Sequence, residues 1–343
     1  MGRLRSVLKE YNLNDPASVL FFIIGVGAVI SICYIAVISA ITYNIKFKSE
    51  LAVAADTGED FNGFKTDITR SSISLDKIYN KGPVKGSIPS INNPKFELAT
   101  NSNLQDQEQG ILINFENKTQ KFYPLDILVW HEVINDAFGY YPFAVTYSPL
   151  TGTAAVFERK INDRVLLFGA TGMLYESNLI MYDSATESLW SQNERRAVVG
   201  EYNGTNLNLI KFNLSTYKDA KEKYPDLKIL TTNTGFSRDY NNNPYEDYSK
   251  KSDIYPEFGI TDINTDHFSK ALVYSVPYEG KVYSVLVDEL KNKPAVFDNG
   301  IVISEVDKEI NAKINGVSLD LPGYYEMWFS WAIKHSVDGV LDN

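Results

Sequence analysis

The segment Leu125–Phe138 (LDILVWHEVINDAF) carries the densest set of groups able to do chemistry. On a helix, at about 100° per residue, Ile127, Trp130, Ile134 and Phe138 form one apolar face. Leu125, Leu128, Val129 and Val133 extend the apolar cover around much of the rest. His131, Glu132, Asn135 and Asp136 then share one stripe, because positions i, i+1, i+4 and i+5 cluster on a helix. A helix apolar nearly all round is buried. Its four polar groups must satisfy one another or line a wet pocket, and both readings stay open. In the second, His131 would act as base, ligand or donor. The string also departs from the zinc-protease helix: Asn135 stands where that chemistry needs a second imidazole.

A second cluster is Ser148-Pro149-Leu150-Thr151-Gly152, a turn directly after a strand-like run. Neutral hydroxyls are poor ligands for soft metals, but they can hydrogen-bond a ligand. Ser148 could also act as a nucleophile with His131 as its base, although the sequence is not the G-x-S-x-G elbow of hydrolases. Asn178, Arg238 and Asp239 lie in two further polar segments. Asp239, Asn241 and Asn243 begin like a calcium loop, but Pro244 replaces its glycine and Lys250 its final Glu. His335 is the one histidine near the C-terminus that could join His131 at a metal, and spacing gives that pair no support. No phosphate- or dinucleotide-binding glycine pattern appears, and the residues name no cofactor, which stays unknown. The candidate pocket is therefore His131, Glu132, Asn135, Asp136, Ser148, Thr151, Asn178, Arg238 and Asp239.

The stretch YSPLTGTAAVF (Tyr147–Phe157) lies in a block running from FYPLDILVWHEVIND to LIMYDSATESLWSQ. Together with GPVKGSIPSINNPKF and the closing EMWFSWAIKHSVDG, this block resembles an uncharacterised prokaryotic family, the domain of unknown function 3179 family. The resemblance runs from about Gly82 to the C-terminus. Members typically carry Cys-Pro-Leu-Cys-Gly where this chain has Ser148, Pro149, Leu150, Thr151 and Gly152. The resemblance implies a redox or metal-binding pair at that turn. Ser148 and Thr151 cannot inherit either role. The only cysteine, Cys33, is far away in an apolar run, so no other thiol can replace them. A degenerate binding pocket or a plain structural turn then remains.

These residues need a scaffold and a location. Val19–Ile41 is an uncharged run of 23 residues, long enough to span a bilayer core. A signal peptide is the rival reading, but its apolar region would be shorter. Arg3, Arg5 and Lys9 precede the run and Lys46 and Lys48 follow it, a slight bias placing the N-terminus in the cytoplasm. The expected organisation is a cytoplasmic segment (1–18), a transmembrane helix (19–43), a stalk with short local structure (44–80) and an outward-facing domain (81–343). Residues 1–50 hold five basic and three acidic side chains against a whole-chain charge of −10, so the remainder carries −12. Such acidity opposes nucleic-acid binding and suits a soluble exterior domain. Expected partners are the membrane, through the helix, and proteins of a membrane or envelope complex.

Within the outer domain, strand-like runs occur at Ile111–Phe115, Phe143–Tyr147, Thr153–Arg159, Arg164–Phe168 and Leu179–Tyr182. Others follow at Ala271–Pro277, Lys281–Val287 and Ile301–Val306. Helices are expected at Leu125–Phe138 and Thr216–Tyr224. The fold class is α+β, mainly antiparallel sheet with a few helices. Gly110–Leu128 and Ala271–Leu290 share a plan of strand, turn, strand and helix start, which two related half-domains or a coincidence would explain. The favoured function is a single-pass, extracytoplasmic ligand- or partner-binding protein. A metal-assisted or serine-dependent enzyme and a structural subunit of an envelope complex are the alternatives.

Overall fold

The computed structural model describes residues 61–335, apart from 62, 81, 116–118, 255–263, 265 and 315–319. The expected transmembrane run lies outside the described residues, among which no helix is long and apolar enough to cross a membrane. In chain order the first elements are β1 (Ile78–Tyr79), β2 (Phe96–Leu98), β3 (Gln109–Phe115), β4 (Thr119–Pro124), α1 (Leu125–His131), β5 (Val133–Phe138), β6 (Tyr141–Ser148) and β7 (Thr153–Glu158). Next come β8 (Lys160–Ile161), β9 (Arg164–Val165), β10 (Phe168–Tyr175), β11 (Asn178–Asp183), β12 (Leu189–Ser191), β13 (Arg196–Val199), β14 (Asn213–Thr216) and α2 (Tyr217–Lys223). The last are β15 (Lys228–Leu230), β16 (Leu272–Tyr278), β17 (Lys281–Leu286), α3 (Val287–Leu290), β18 (Ala295–Val296), β19 (Ile301–Val306), β20 (Glu309–Ile314), β21 (Tyr324–Met327) and α4 (Trp328–Lys334).

The centre is a six-stranded antiparallel sheet ordered β17-β16-β21-β7-β6-β5. Alternation along its strands sends side chains to two different cores. Val133, Ala144, Ala155, Phe157 and Tyr324 meet Phe168, Leu179, Met181 and Trp190 of the sheet β1-β10-β11-β12-β13. Ile134, Phe143, Val145, Ala154, Val156 and Tyr325 meet Ile111, Ile113 and Tyr123 of the sheet β14-β3-β4-β15-β2, and Ile301, Ile303 and Ala312 of β19 and β20. The parallel contact between β15 and β4 is the exception to antiparallel pairing among the named strands. Residues 61–79, expected as stalk, lie inside the compact unit that begins at Asp60. Phe64 and Ile78 pack against Met173, Ile180 and Leu189 on the outer face of β10 to β12.

The expected helix Leu125–Phe138 is half helix and half strand. It ends at His131, Glu132 takes a positive φ of 54°, and the chain continues as β5. An apolar pattern on nearly every position fits a buried helix and a strand covered on both faces equally well. Pairing decides it: β5 zips onto β6 from Val133↔Thr146 to Phe138↔Tyr141, and Asn135 N–H donates to Ile91 O. The run expected at Arg164–Phe168 is also divided. Arg164–Val165 closes a small hairpin over Asn162 and Asp163, both at positive φ, and a separate strand starts at Phe168. Helix α2 matches expectation, with Thr216 as its N-cap accepting from Asp219 N–H.

The two echoing segments have the same geometry. In each, a hairpin runs straight into a helix (β3–β4–α1 and β16–β17–α3), and a third strand pairs with the first hairpin strand before entering another helix (β14–α2 and β21–α4). Gly110 lies between Pro124 and Ser215, and Val273 lies between Leu286 and Glu326. Ser215 and Glu326 therefore occupy corresponding positions, two residues before helices starting at Tyr217 and Trp328.

An ion pair bridges two layers inside the core. Lys121 of β4 lies 2.7 Å from Asp136 of β5, and both side chains are buried. The same Asp136 oxygen accepts from Tyr123 Oη at 2.7 Å, and Lys121 also donates to Ala137 O. Removing one partner strands a buried charge, whereas removing both need not. Lys121→Met should lower the unfolding free energy by about 3–5 kcal/mol, and the double variant Lys121→Met/Asp136→Leu should recover much of the loss. Urea unfolding of the four members of this cycle measures the coupling.

Candidate functional site

The nine sequence-selected residues occupy several separate places. His131, the last residue of α1, is fully buried. Its Nδ1 lies 2.7 Å from Pro89 O and its Nε2 2.7 Å from Tyr240 Oη. A carbonyl can only accept, so Nδ1 carries the proton and Nε2 accepts from the tyrosine. Tyr240 Oη in turn pairs with Thr234 Oγ1 at 2.6 Å. Burial holds the His131 pKa below its ordinary value, which keeps the ring neutral. With both nitrogens engaged, His131 makes no hydrogen bond to Ser148.

Asn135 and Asp136 are adjacent on a strand and so face opposite ways. Asn135 clamps the two sheets together, donating to Phe168 O and accepting from Phe168 N–H. Asp136 belongs to the ion pair with Lys121. Arg238 donates to Ser237 O and Ser87 O beside the Trp130 ring, and Asp239 accepts from Asn241 N–H in a surface turn. His335 packs on Trp331 at the end of α4, where burial holds its pKa down to about 4. Among the described residues no group of three or more His, Cys, Asp or Glu is placed to hold a metal ion.

Ser148, Thr151 and Asn178 do meet. They form a buried polar seam where the ends of β6, β7 and β21 face the ends of β11 and β12. Thr151 Oγ1 lies 3.0 Å from Ser148 Oγ and 2.9 Å from Thr153 Oγ1. Asn178 Nδ2 donates to Thr153 Oγ1 at 2.7 Å and to Thr151 Oγ1 at 3.1 Å. Sequence reasoning left six seam members outside the candidate pocket: Thr146, Thr153, Gln192, Asn193, Glu326 and Ser330. Gln192 Nε2 donates to Thr146 Oγ1 and Thr153 O, while Asn193 Nδ2 and Ser330 Oγ both approach Glu326 Oε2. Burial raises the Glu326 pKa. The available signal was the position of Glu326 in a strand-like run ahead of an aromatic helix, where a carboxylate on an inward face needs partners.

The other side of the same turn faces a groove of about 750 Å³. Tyr147, Pro149 and Gly152 form one wall, with Leu125, Asp126 and Val129 of α1, the 241–250 segment and Met327 around them. Gly152 sits at a φ of 60°, and a Cβ there would lie 2.9 Å from Met327 Cγ, so only glycine fits between strand and side chain. Glu108 and Asp126 are half-buried in this groove, and among the described residues neither has an ion-pair partner. Burial and mutual repulsion raise the pKa of Glu108; burial and the nearby Glu246 raise that of Asp126. Burial and the Asp126 charge push Tyr147 up to about 12.

Glu132 sits at the helix-to-strand corner with no partner for its carboxyl among the described residues, and burial pushes its pKa up to about 8. The unfolded chain ionises this group near the ordinary Glu value, while the folded chain keeps the proton longer. The native state therefore binds the extra proton between roughly pH 4.5 and 8, and stability falls as pH rises through that window. Glu132→Gln cannot ionise. It should match the parent near pH 4 and exceed it by roughly 4–5 kcal/mol above pH 8, as read by urea unfolding across pH.

Comparison with family models matches residues 85–314 to a family described as a protein of unknown function (DUF3179). Glu326–Gly339, read above as family-like, lie beyond the matched range. No curated protein and no solved structure matches the chain.

Proposed function

This chain belongs to the DUF3179 family of proteins of unknown function, and on that premise we propose that it is a membrane-anchored extracytoplasmic binding protein. Its ligand is a small organic cation, held in the groove outside the 147–152 turn. One observation carries the reading: Glu108 and Asp126 are half-buried in a groove with aromatic and aliphatic walls, and neither has an ion-pair partner among the described residues, since Lys250, which also lines the groove, pairs with Glu246. Among the described residues Asp126 accepts from Asn243 Nδ2, and Glu108 from Gln105 N–H. Lys270 lines the groove but spends its ammonium on Tyr248 O, Lys251 O and Asp253 O. An ammonium group would offset the desolvation of the two carboxylates, and an apolar body would cover Leu125, Val129 and Met327.

The uncharged run at Val19–Ile41 and the acidity of the remainder support the anchor and the outward orientation. The shared geometry of the two hairpin–helix segments supports descent from one duplicated half-domain. The turn keeps its place in the family pattern while its hydroxyls exclude thiol chemistry, which supports binding over turnover.

Benzylamine and benzyl alcohol, similar in shape and different in charge, test the groove. Benzylamine should raise the melting temperature of the full-length protein at millimolar concentration and benzyl alcohol should not. Asp126→Asn should abolish the difference, whereas equal shifts from both compounds would refute the reading. For the anchor, the protein should stay in the membrane pellet after an alkaline carbonate wash, with residues beyond 44 open to protease added from outside.

A further inference from the structure

Buried polar atoms in folded chains almost always find partners, so a local concentration of exceptions needs a cause. Four side-chain oxygens in the seam have no hydrogen-bond partner among the described residues: Asn178 Oδ1, Gln192 Oε1, Asn193 Oδ1 and Glu326 Oε1. Their residues are at most 2 % exposed. The Gln192 amide has a defined orientation, because its nitrogen faces the carbonyl of Thr153 at 3.2 Å and a carbonyl cannot donate.

Three of these residues border Thr153, and the fourth, Asn193, follows through Glu326. Asn178 is bonded to the Thr153 hydroxyl and Gln192 to its carbonyl. Thr153 pairs with Ser148 on one side. On the other, Ala154↔Tyr325 and the bond from Met327 N–H to Thr151 O bracket Glu326 beside it. Side chains directly across such a ladder have Cβ atoms about 5 Å apart. Asn193 joins through its bond to Glu326. Asn178 and Asn193 also flank the bond from Gln192 N–H to Leu179 O, which extends the β11–β12 ladder.

The unpartnered set is three neutral amide oxygens and one carboxylate oxygen, with no nitrogen or sulfur. Soft and borderline metals select thiolate or imidazole, which the seam lacks. Calcium takes about 6–8 oxygens, commonly with several carboxylates. A single water offers two donors and no charge. A hard monovalent cation suits amide oxygens and balances one carboxylate. Lys334 and Arg195 act on Glu326 electrostatically and make no hydrogen bond with it, so among the described residues its free oxygen has no donor. We propose that the seam holds one alkali-metal cation, Na⁺ or K⁺, ligated by Asn178, Gln192, Asn193 and Glu326. The ion ties β11 and β12 to β21 beneath the 148–152 turn. It is independent of any ligand in the outer groove.

The test is thermal unfolding of the full-length protein, followed by near-UV circular dichroism, in choline, sodium and potassium chloride at equal ionic strength. One alkali salt should raise the midpoint by about 4 °C over choline, from preferential binding to the folded state. Glu326→Gln should bring the three midpoints together. Should that variant not fold, ²³Na line broadening on the parent protein, reversed by unfolding, reads the same site. Equal midpoints in all three salts overturn the proposal. So does an alkali response that persists in Glu326→Gln, or the absence of broadening where Na⁺ is the preferred ion.

Discussion

A sheet covered on both faces must place every side chain it carries without help from water. The sheet from β17 to β5 is such a sheet, and the rest of the molecule is arranged around that demand. Its apolar residues divide between two cores. Its buried polar residues cannot reach water, so each needs a partner, drawn from a neighbouring layer or from the sheet itself. Asn135 finds the backbone of Phe168, Asp136 finds Lys121 and Tyr123, and Thr146 finds Ala155 O and Gln192. These contacts pin the layers in register as well as satisfying hydrogen bonds.

The same demand separates structural polar groups from candidate functional ones. His131 is fully satisfied by Pro89 O and Tyr240, and it behaves as a locking group between α1 and the 234–240 segment. The seam is different, because its donors are used and four of its acceptors are not. The outer groove differs again, since Glu108 and Asp126 are half-shielded from water and have no ion-pair partner among the described residues. Both lie against the 147–152 turn. One wraps its inner surface through Ser148 and Thr151, and the other its outer surface through Pro149 and Gly152. The turn that marks the family is thus a thin partition between two polar environments, held to β21 by the bond from Met327 N–H to Thr151 O.

The sequence alone was enough for the antiparallel, strand-rich class, the family and the hairpin-to-helix plan of both echoing segments. Those features rest on local signals: alternating β-branched and aromatic residues, turn dipeptides and the Thr216 cap. Ser148, Thr151 and Asn178 were also legible as a group of interest. Tertiary structure alone decided the fate of Leu125–Phe138. A pattern apolar on nearly every position does not distinguish a buried helix from a strand buried on both faces, and only β6 and Ile91 could settle it. That one change sent His131, Asn135 and Asp136 into different surroundings. It also left the seam to Gln192, Asn193 and Glu326, whose partners lie up to 137 residues away in the chain and so leave no periodic trace in it.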